Sequence, residues 1–153
     1  MVKAYNSIDR QLIIKYRDIV EFDLILRPHI TQIYGDSATG KTLLVDCIKM
    51  EQNNYKNNTS IAKYDTSNIK VFDSNMTIYD LKSINNGIII IDRADLFLDK
   101  SVIEYISSDT KNQYLVMARA GLNFGISPNY YGQFVKDNNK VTIQYDYSIK
   151  GWF

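Results

Sequence analysis

The chain has 153 residues, the size of one domain, and an ordinary soluble composition of 45% hydrophobic and 23% charged residues. Its formal charge of +1 excludes a global electrostatic pull toward nucleic acid or membrane, so any such binding needs a local patch. A single cysteine, Cys47, excludes an internal disulfide and suits a reducing compartment. The first residues are followed by polar and charged positions rather than an apolar run, and the longest aliphatic stretch, residues 88–91, is far below the roughly 20 residues of a membrane span. A cytoplasmic protein is the resulting expectation. The bias toward Asn, Ile, Lys and Tyr is what an AT-rich coding sequence gives, as in mobile elements of low-GC genomes.

In chain order, residues 2–5, 12–16 and 19–26 are rich in β-branched and aromatic side chains and read as strands. Val20, Phe22, Leu24 and Leu26 alternate with polar or exposed positions, which predicts one buried face. Arg27 and Pro28 make a turn, and residues 30–34 form a short strand running into Gly35. Leu43, Leu44, Cys47, Ile48 and Met50 recur at helical spacing, so residues 39–50 are a predicted helix, and the Asn-rich stretch 51–59 a surface loop. Short strands follow at 61–64 and 69–72, then a helix at 76–84 capped by Ser74 or Thr77. Four consecutive isoleucines at 88–91 are apolar on both faces, as a central parallel strand requires. A helix at 100–107, a strand at 113–118 and a hairpin of 130–136 with 140–147 around Asp137, Asn138 and Asn139 complete the chain. Alternating strands and helices predict a single α/β domain with a mostly parallel sheet flanked by helices, antiparallel strands at the N-terminus and a C-terminal hairpin.

The pattern with the most chemistry is Gly35, Asp36, Ser37, Ala38, Thr39, Gly40, Lys41, Thr42, which fits G-x-x-x-x-G-K-[ST] without mismatch. Glycines let a backbone bend and bring its N–H groups onto phosphate oxygens. A helix starting at Gly40 adds unpaired N–H donors and its dipole. Lys41 is placed to bridge phosphates, and the Thr42 hydroxyl to ligate Mg²⁺. Asp92, at the end of the isoleucine strand, is the second expected metal-shell residue; a helix-capping role is its alternative.

These motifs resemble the P-loop NTPase superfamily, with the phosphate loop as Walker A and Asp92 as Walker B. Residues 20–42, Asp92 and the strand 113–118 look like a minimal ABC, SMC or AAA-type ATPase core without the ABC signature segment. The resemblance implies ATP and Mg²⁺ as cofactors, ATP being favoured by elimination, since guanine-recognition motifs are missing. It implies a weak ATPase or a nucleotide-dependent switch working with a protein partner or a second copy. Arg93 stands where related enzymes carry the glutamate that polarises water, and arginine stays protonated. That leaves Asp95, Asp65 and Asp73 as base candidates, and motivates a second reading, a non-hydrolysing adaptor or inhibitor. A small-molecule kinase ranks last, because five scattered arginines do not make a lid. Arg119, just after the strand 113–118, is a candidate γ-phosphate sensor. His29 and Cys47 read as structural, and the C-terminal aromatics, Tyr130 to Phe153, as hairpin packing or a partner surface.

Overall fold

The computed structural model describes residues 1–35, 40–57, 61–120, 122–126 and 130–145. In chain order they form β1 (Val2–Lys3), β2 (Tyr5–Asn6), β3 (Gln11–Tyr16), β4 (Val20–Ile25), β5 (Ile30–Ile33), α1 (Lys41–Lys56), β6 (Tyr64–Asp65), β7 (Ile69–Phe72) and α2 (Ile78–Lys82). Then come β8 (Ile88–Ile91), α3 (Ala94–Phe97), α4 (Lys100–Ser108), β9 (Gln113–Met117), β10 (Tyr131–Asp137) and β11 (Lys140–Tyr145).

Alternation sets the inward face of the first strands. Leu12 and Ile14 in β3, and Val20, Phe22 and Leu24 in β4, are buried, while Lys15 is exposed and Glu21 and Asp23 are half-buried. β8 and β9 are buried at every position, as strands covered on both faces must be. Helix starts follow their caps. The Asp99 carboxylate accepts the Val102 N–H at 3.0 Å to open α4, and the Asp80 carboxylate reaches back to the Thr77 N–H at 2.7 Å at the start of α2.

Nine strands join one sheet in the order β2-β3-β4-β11-β10-β5-β9-β8-β7. This sheet curls through 285° and is nearly sealed. The predicted fold class, an open and mostly parallel sheet with separate antiparallel additions, is therefore corrected. The reason lies in two long-range pairings. β11 pairs in parallel with β4, Val141 opposite Phe22, and β10 in parallel with β5, Gly132 opposite Ile33. The N-terminal strands and the C-terminal hairpin thus fuse with β5 and its neighbours into one wall.

That wall wraps α1. Leu44, Val45, Cys47 and Ile48 share one apolar cluster with residues from each of the nine strands, among them Tyr5, Leu12, Phe22, Ile33, Ile69 and Phe134. A second cluster, with Ile89, Ile91, Tyr114 and Val116, lies on the outside, where Leu81 of α2, Ala94 of α3 and Ile106 of α4 cover it. The expected membership of the P-loop NTPase superfamily, as a minimal ABC, SMC or AAA-like core, is corrected with the fold: this is a mostly-β, barrel-like sheet with few and mainly short helices beside it.

A separate two-stranded sheet bridges part of the gap between the end strands β2 and β7. β1 pairs in parallel with β6, the Ala4 N–H donates to the Asp65 carbonyl at 3.0 Å, and Asn68 Nδ2 donates to the Tyr5 carbonyl at 3.0 Å. Local differences from the sequence expectations are few. α1 continues to Lys56, the expected strand at 61–64 shrinks to Tyr64–Asp65, and α3 was not foreseen. No helix among the described residues is long and apolar enough to cross a membrane.

Candidate functional site

The carboxyl ends of β8 and β9 and the start of α1 converge on one cleft of about 250 Å³. Lys41, Thr42, Asp92, Arg93, Asp95 and Arg119 line it, together with Leu96 and Ala118. Asp92 is carried there by the all-apolar β8, Arg119 by the equally buried β9, and Lys41 and Thr42 by the first turn of the enclosed helix. Gly40 precedes that turn with φ of 94°, a left-handed conformation that suits glycine.

The carboxylates in the cleft are occupied by neighbours. Asp92 Oδ1 accepts the Arg93 N–H at 2.9 Å, and Asp92 Oδ2 accepts the Thr42 hydroxyl at 3.3 Å. Asp95 Oδ1 accepts the Arg119 N–H at 3.4 Å, a long bond that ties α3 to the end of β9. The Lys41 ammonium, on a side chain only 5% exposed, donates to the Gly35 carbonyl at 2.6 Å. The two guanidiniums differ: among the described residues neither Arg93 nor Arg119 has a carboxylate within 4.0 Å, the one such ion pair being Lys140–Asp23 at 3.2 Å. Arg93 also sits at φ 53°, ψ 40°, the left-handed region that non-glycine residues seldom occupy. Such a conformation costs on the order of 1–3 kcal/mol and persists where surrounding bonds fix it, as the Asp92–Arg93 bond does here.

The sequence motif is thus divided by the structure. Gly35, Gly40, Lys41 and Thr42 are described, whereas Asp36, Ser37, Ala38 and Thr39 lie outside the described residues. No phosphate-loop or Walker geometry is found among those described. The Mg²⁺ expectation is corrected as well. Among the described residues no group of three or more His, Cys, Asp or Glu side chains could hold a metal ion, and Thr42 and Asp92 bond to each other. The ATP expectation, drawn from the loop motif and the superfamily resemblance, is corrected too, because the curled sheet replaces the open core that the resemblance implied. The cleft is also below the roughly 300–1,000 Å³ of sites that enclose drug-sized ligands. With ATP and Mg²⁺ go the readings built on them: weak ATPase, nucleotide-dependent switch, nucleotide-binding adaptor or inhibitor, and small-molecule kinase.

Other residues singled out in the sequence fall elsewhere. Asp65 lies on β6, where bonds from Ser67 hold its carboxyl below the ordinary value of 3.8, and Asp73 accepts the Asn75 N–H at 2.9 Å; neither lines the cleft. His29 bonds through Nε2 to the Ile106 carbonyl at 2.8 Å and meets Tyr114 edge-on, a structural role. Cys47 is fully buried in the core, and burial, helped by the charge of Glu51, pushes its thiol up to about 12, where it is inert. Phe134 and Tyr145 are core residues of the hairpin, while Tyr147, Trp152 and Phe153 lie outside the described residues.

Sequence reasoning missed Leu96, which stands 73% exposed at the cleft, and read Arg93 both as standing in the glutamate position and, like Arg119, as a nucleotide-reaching or surface arginine. Nothing in the spacing marks Leu96, because α3 itself gave no periodic signal. Two wider grooves, of about 540 and 550 Å³, open between the β3–β4 turn and the β10–β11 turn and at the opposite end of the parallel strands; neither gathers the residues of the cleft. No protein-family model, no curated protein and no solved structure matches this chain.

Proposed function

We propose that the chain is a binding protein for a small, metal-free anion bearing a phosphate or a group of similar charge and size, seated among Lys41, Arg93 and Arg119. The observation that carries this reading is the pair of guanidiniums in one cleft without a carboxylate partner, while both nearby carboxylates are engaged with N–H and hydroxyl donors. Arginine suits the role, because its planar fork matches an oxyanion with two parallel bonds. In this reading Asp92 and Asp95 are positioning residues, which fix the backbones of Arg93 and Arg119 and touch no ligand.

The test is titration of the protein with inorganic phosphate and with pyrophosphate, followed by amide shifts and calorimetry. Saturable binding is expected, with shifts at Thr42, Arg93 and Arg119. Arg93→Ala and Arg119→Ala should each weaken it about tenfold, the equivalent of one charge-assisted bond. Binding that is absent, or unchanged in the double variant, would remove the proposal.

A further inference from the structure

The curled sheet stops short of closing, and the gap has a defined chemistry. β7 is an end strand, and its ladder with β8 decides which backbone groups are used. The Ile88 N–H donates to the Asn68 carbonyl at 2.9 Å, so in this parallel ladder residues 68, 70 and 72 turn their polar groups toward β8. Residues 69 and 71 turn theirs outward. Ile69 is already satisfied there, its N–H donating to the Thr66 carbonyl at 3.1 Å and its carbonyl accepting Gln52 Nε2 at 2.7 Å. Val71 is not: its N–H and carbonyl have no hydrogen-bond partner among the described residues.

Alongside that edge, α1 shows its one uncovered side. The two form the walls of a groove of about 420 Å³. Lys49 and Lys56 of α1 and Lys70 of β7 line it and are exposed, against a single carboxylate, Asp73. Tyr55 and Met76, 38% and 41% exposed, give it apolar contact surface.

We infer that this groove receives an extended acidic segment of a partner protein, which pairs with Val71 as an added strand. The unpaired N–H and carbonyl call for another peptide backbone, which offers both a donor and an acceptor, and the three lysines call for negative side chains along it. A nucleic acid matches the lysines but brings no backbone N–H to the edge, so the peptide is favoured.

The probe is a fluorescent peptide of alternating Glu and Thr, compared with its Lys–Thr counterpart and with a single-stranded oligothymidylate. Saturable anisotropy change is expected with the acidic peptide alone, with a shift of the Val71 amide. The paired substitution Lys49→Glu and Lys70→Glu should weaken binding at least about tenfold, more than one exposed ion pair supplies. Val71→Pro should do the same, because it removes an outward N–H and leaves the ladder with β8 intact. The charge-reversed variant stands as the test if the proline variant fails to fold. Equal binding of the basic peptide, preference for the oligothymidylate, or unchanged affinity after charge reversal would each overturn the inference. So would sedimentation showing self-association through Val71, which would assign the groove to a second copy of the chain.

Discussion

Asp109 stands where α4 ends, 4% exposed, and collects three donors. The Tyr114 hydroxyl and Asn112 Nδ2 reach Oδ2 at 2.5 and 2.9 Å, and the Lys111 N–H reaches Oδ1 at 2.8 Å. Burial pushes the carboxyl up, but these bonds, with the charge of Lys111, outweigh it and hold the group below its ordinary 3.8. A depressed folded value contributes stability that is fully present above the unfolded value and is lost as pH falls through the folded one. Tyr114 remains a donor throughout, since burial and then the Asp109 carboxylate push its phenol well up. Tyr114→Phe should therefore cost about 1.5–3 kcal/mol near neutral pH, as expected for a bond to a charged group. The loss should shrink once pH falls through the folded value of Asp109, which lies below the ordinary 3.8. Urea denaturation at both pH values checks this, and an equal loss at each would show that Asp109 is not the group responsible. The cluster was invisible in the sequence, where Asp109, Asn112 and Tyr114 read as a helix end, a loop and a strand.

At the level of elements, α1 decides the fold. An amphipathic helix beside a sheet needs one apolar stripe, and the Leu43, Leu44, Cys47, Ile48, Met50 spacing displayed one, of which Leu44, Cys47 and Ile48 are buried, joined by Val45. What spacing alone does not reveal is that this stripe is met by strands from both ends of the chain. The end of the helix was misread for a related reason. Asn53, Asn54 and Asn57 suggest a loop, yet α1 runs on to Lys56, with Glu51 buried beneath it and accepting the Lys63 N–H at 3.2 Å. Its outward side lies in the gap of the sheet, so polar residues there carry no penalty. Because Leu44 is fully buried at the centre of this enclosure, Leu44→Ala should destabilise the protein by about 2–5 kcal/mol. Leu96→Ala, at a position 73% exposed, should stay within about 0.5 kcal/mol. Chemical denaturation of the two variants separates a wrapped helix from a peripheral one: similar losses would mean that α1 is not enclosed. The candidate cleft was more legible than the fold. Lys41, Thr42 and Asp92 were singled out from local pattern, Asp95 and Arg119 through the family resemblance, and all five line one cleft. The meaning of that pattern was tied to an open core, and openness is a property of distant pairings.

Across the whole molecule one of those pairings, β10 with β5, passes through a single glycine. Gly132 is flanked by Ile33 of β5 on one side and Tyr145 of β11 on the other, where the parallel strands join the antiparallel ones. Its carbonyl also accepts the Tyr34 N–H at 3.1 Å. More than ninety residues separate it from its β5 partner, so no local signal foretells the joint, and a glycine inside a predicted strand hints only at a close approach. That approach is real: a Cβ here would lie 2.8 Å from Ile143 Cγ2 and 2.9 Å from the Gln144 carbonyl oxygen. The second contact is with backbone, which cannot swing away as a side chain can. Gly132→Ala should consequently push β10 from β11 and strain its bond to β5, costing about 1–3 kcal/mol as overpacked sites do. Val135→Ala, on the same strand but 37% exposed and facing outward, should change stability by no more than about 0.5 kcal/mol. Denaturation gives the size of the effect and amide shifts give its reach, which should extend to Ile33 and Tyr34 as well as Gln144. Shifts confined to the hairpin would mean that the two halves of the sheet are joined less tightly than the register implies, and a Gly132→Ala variant as stable as the parent would deny the joint its role in closing the wall around α1.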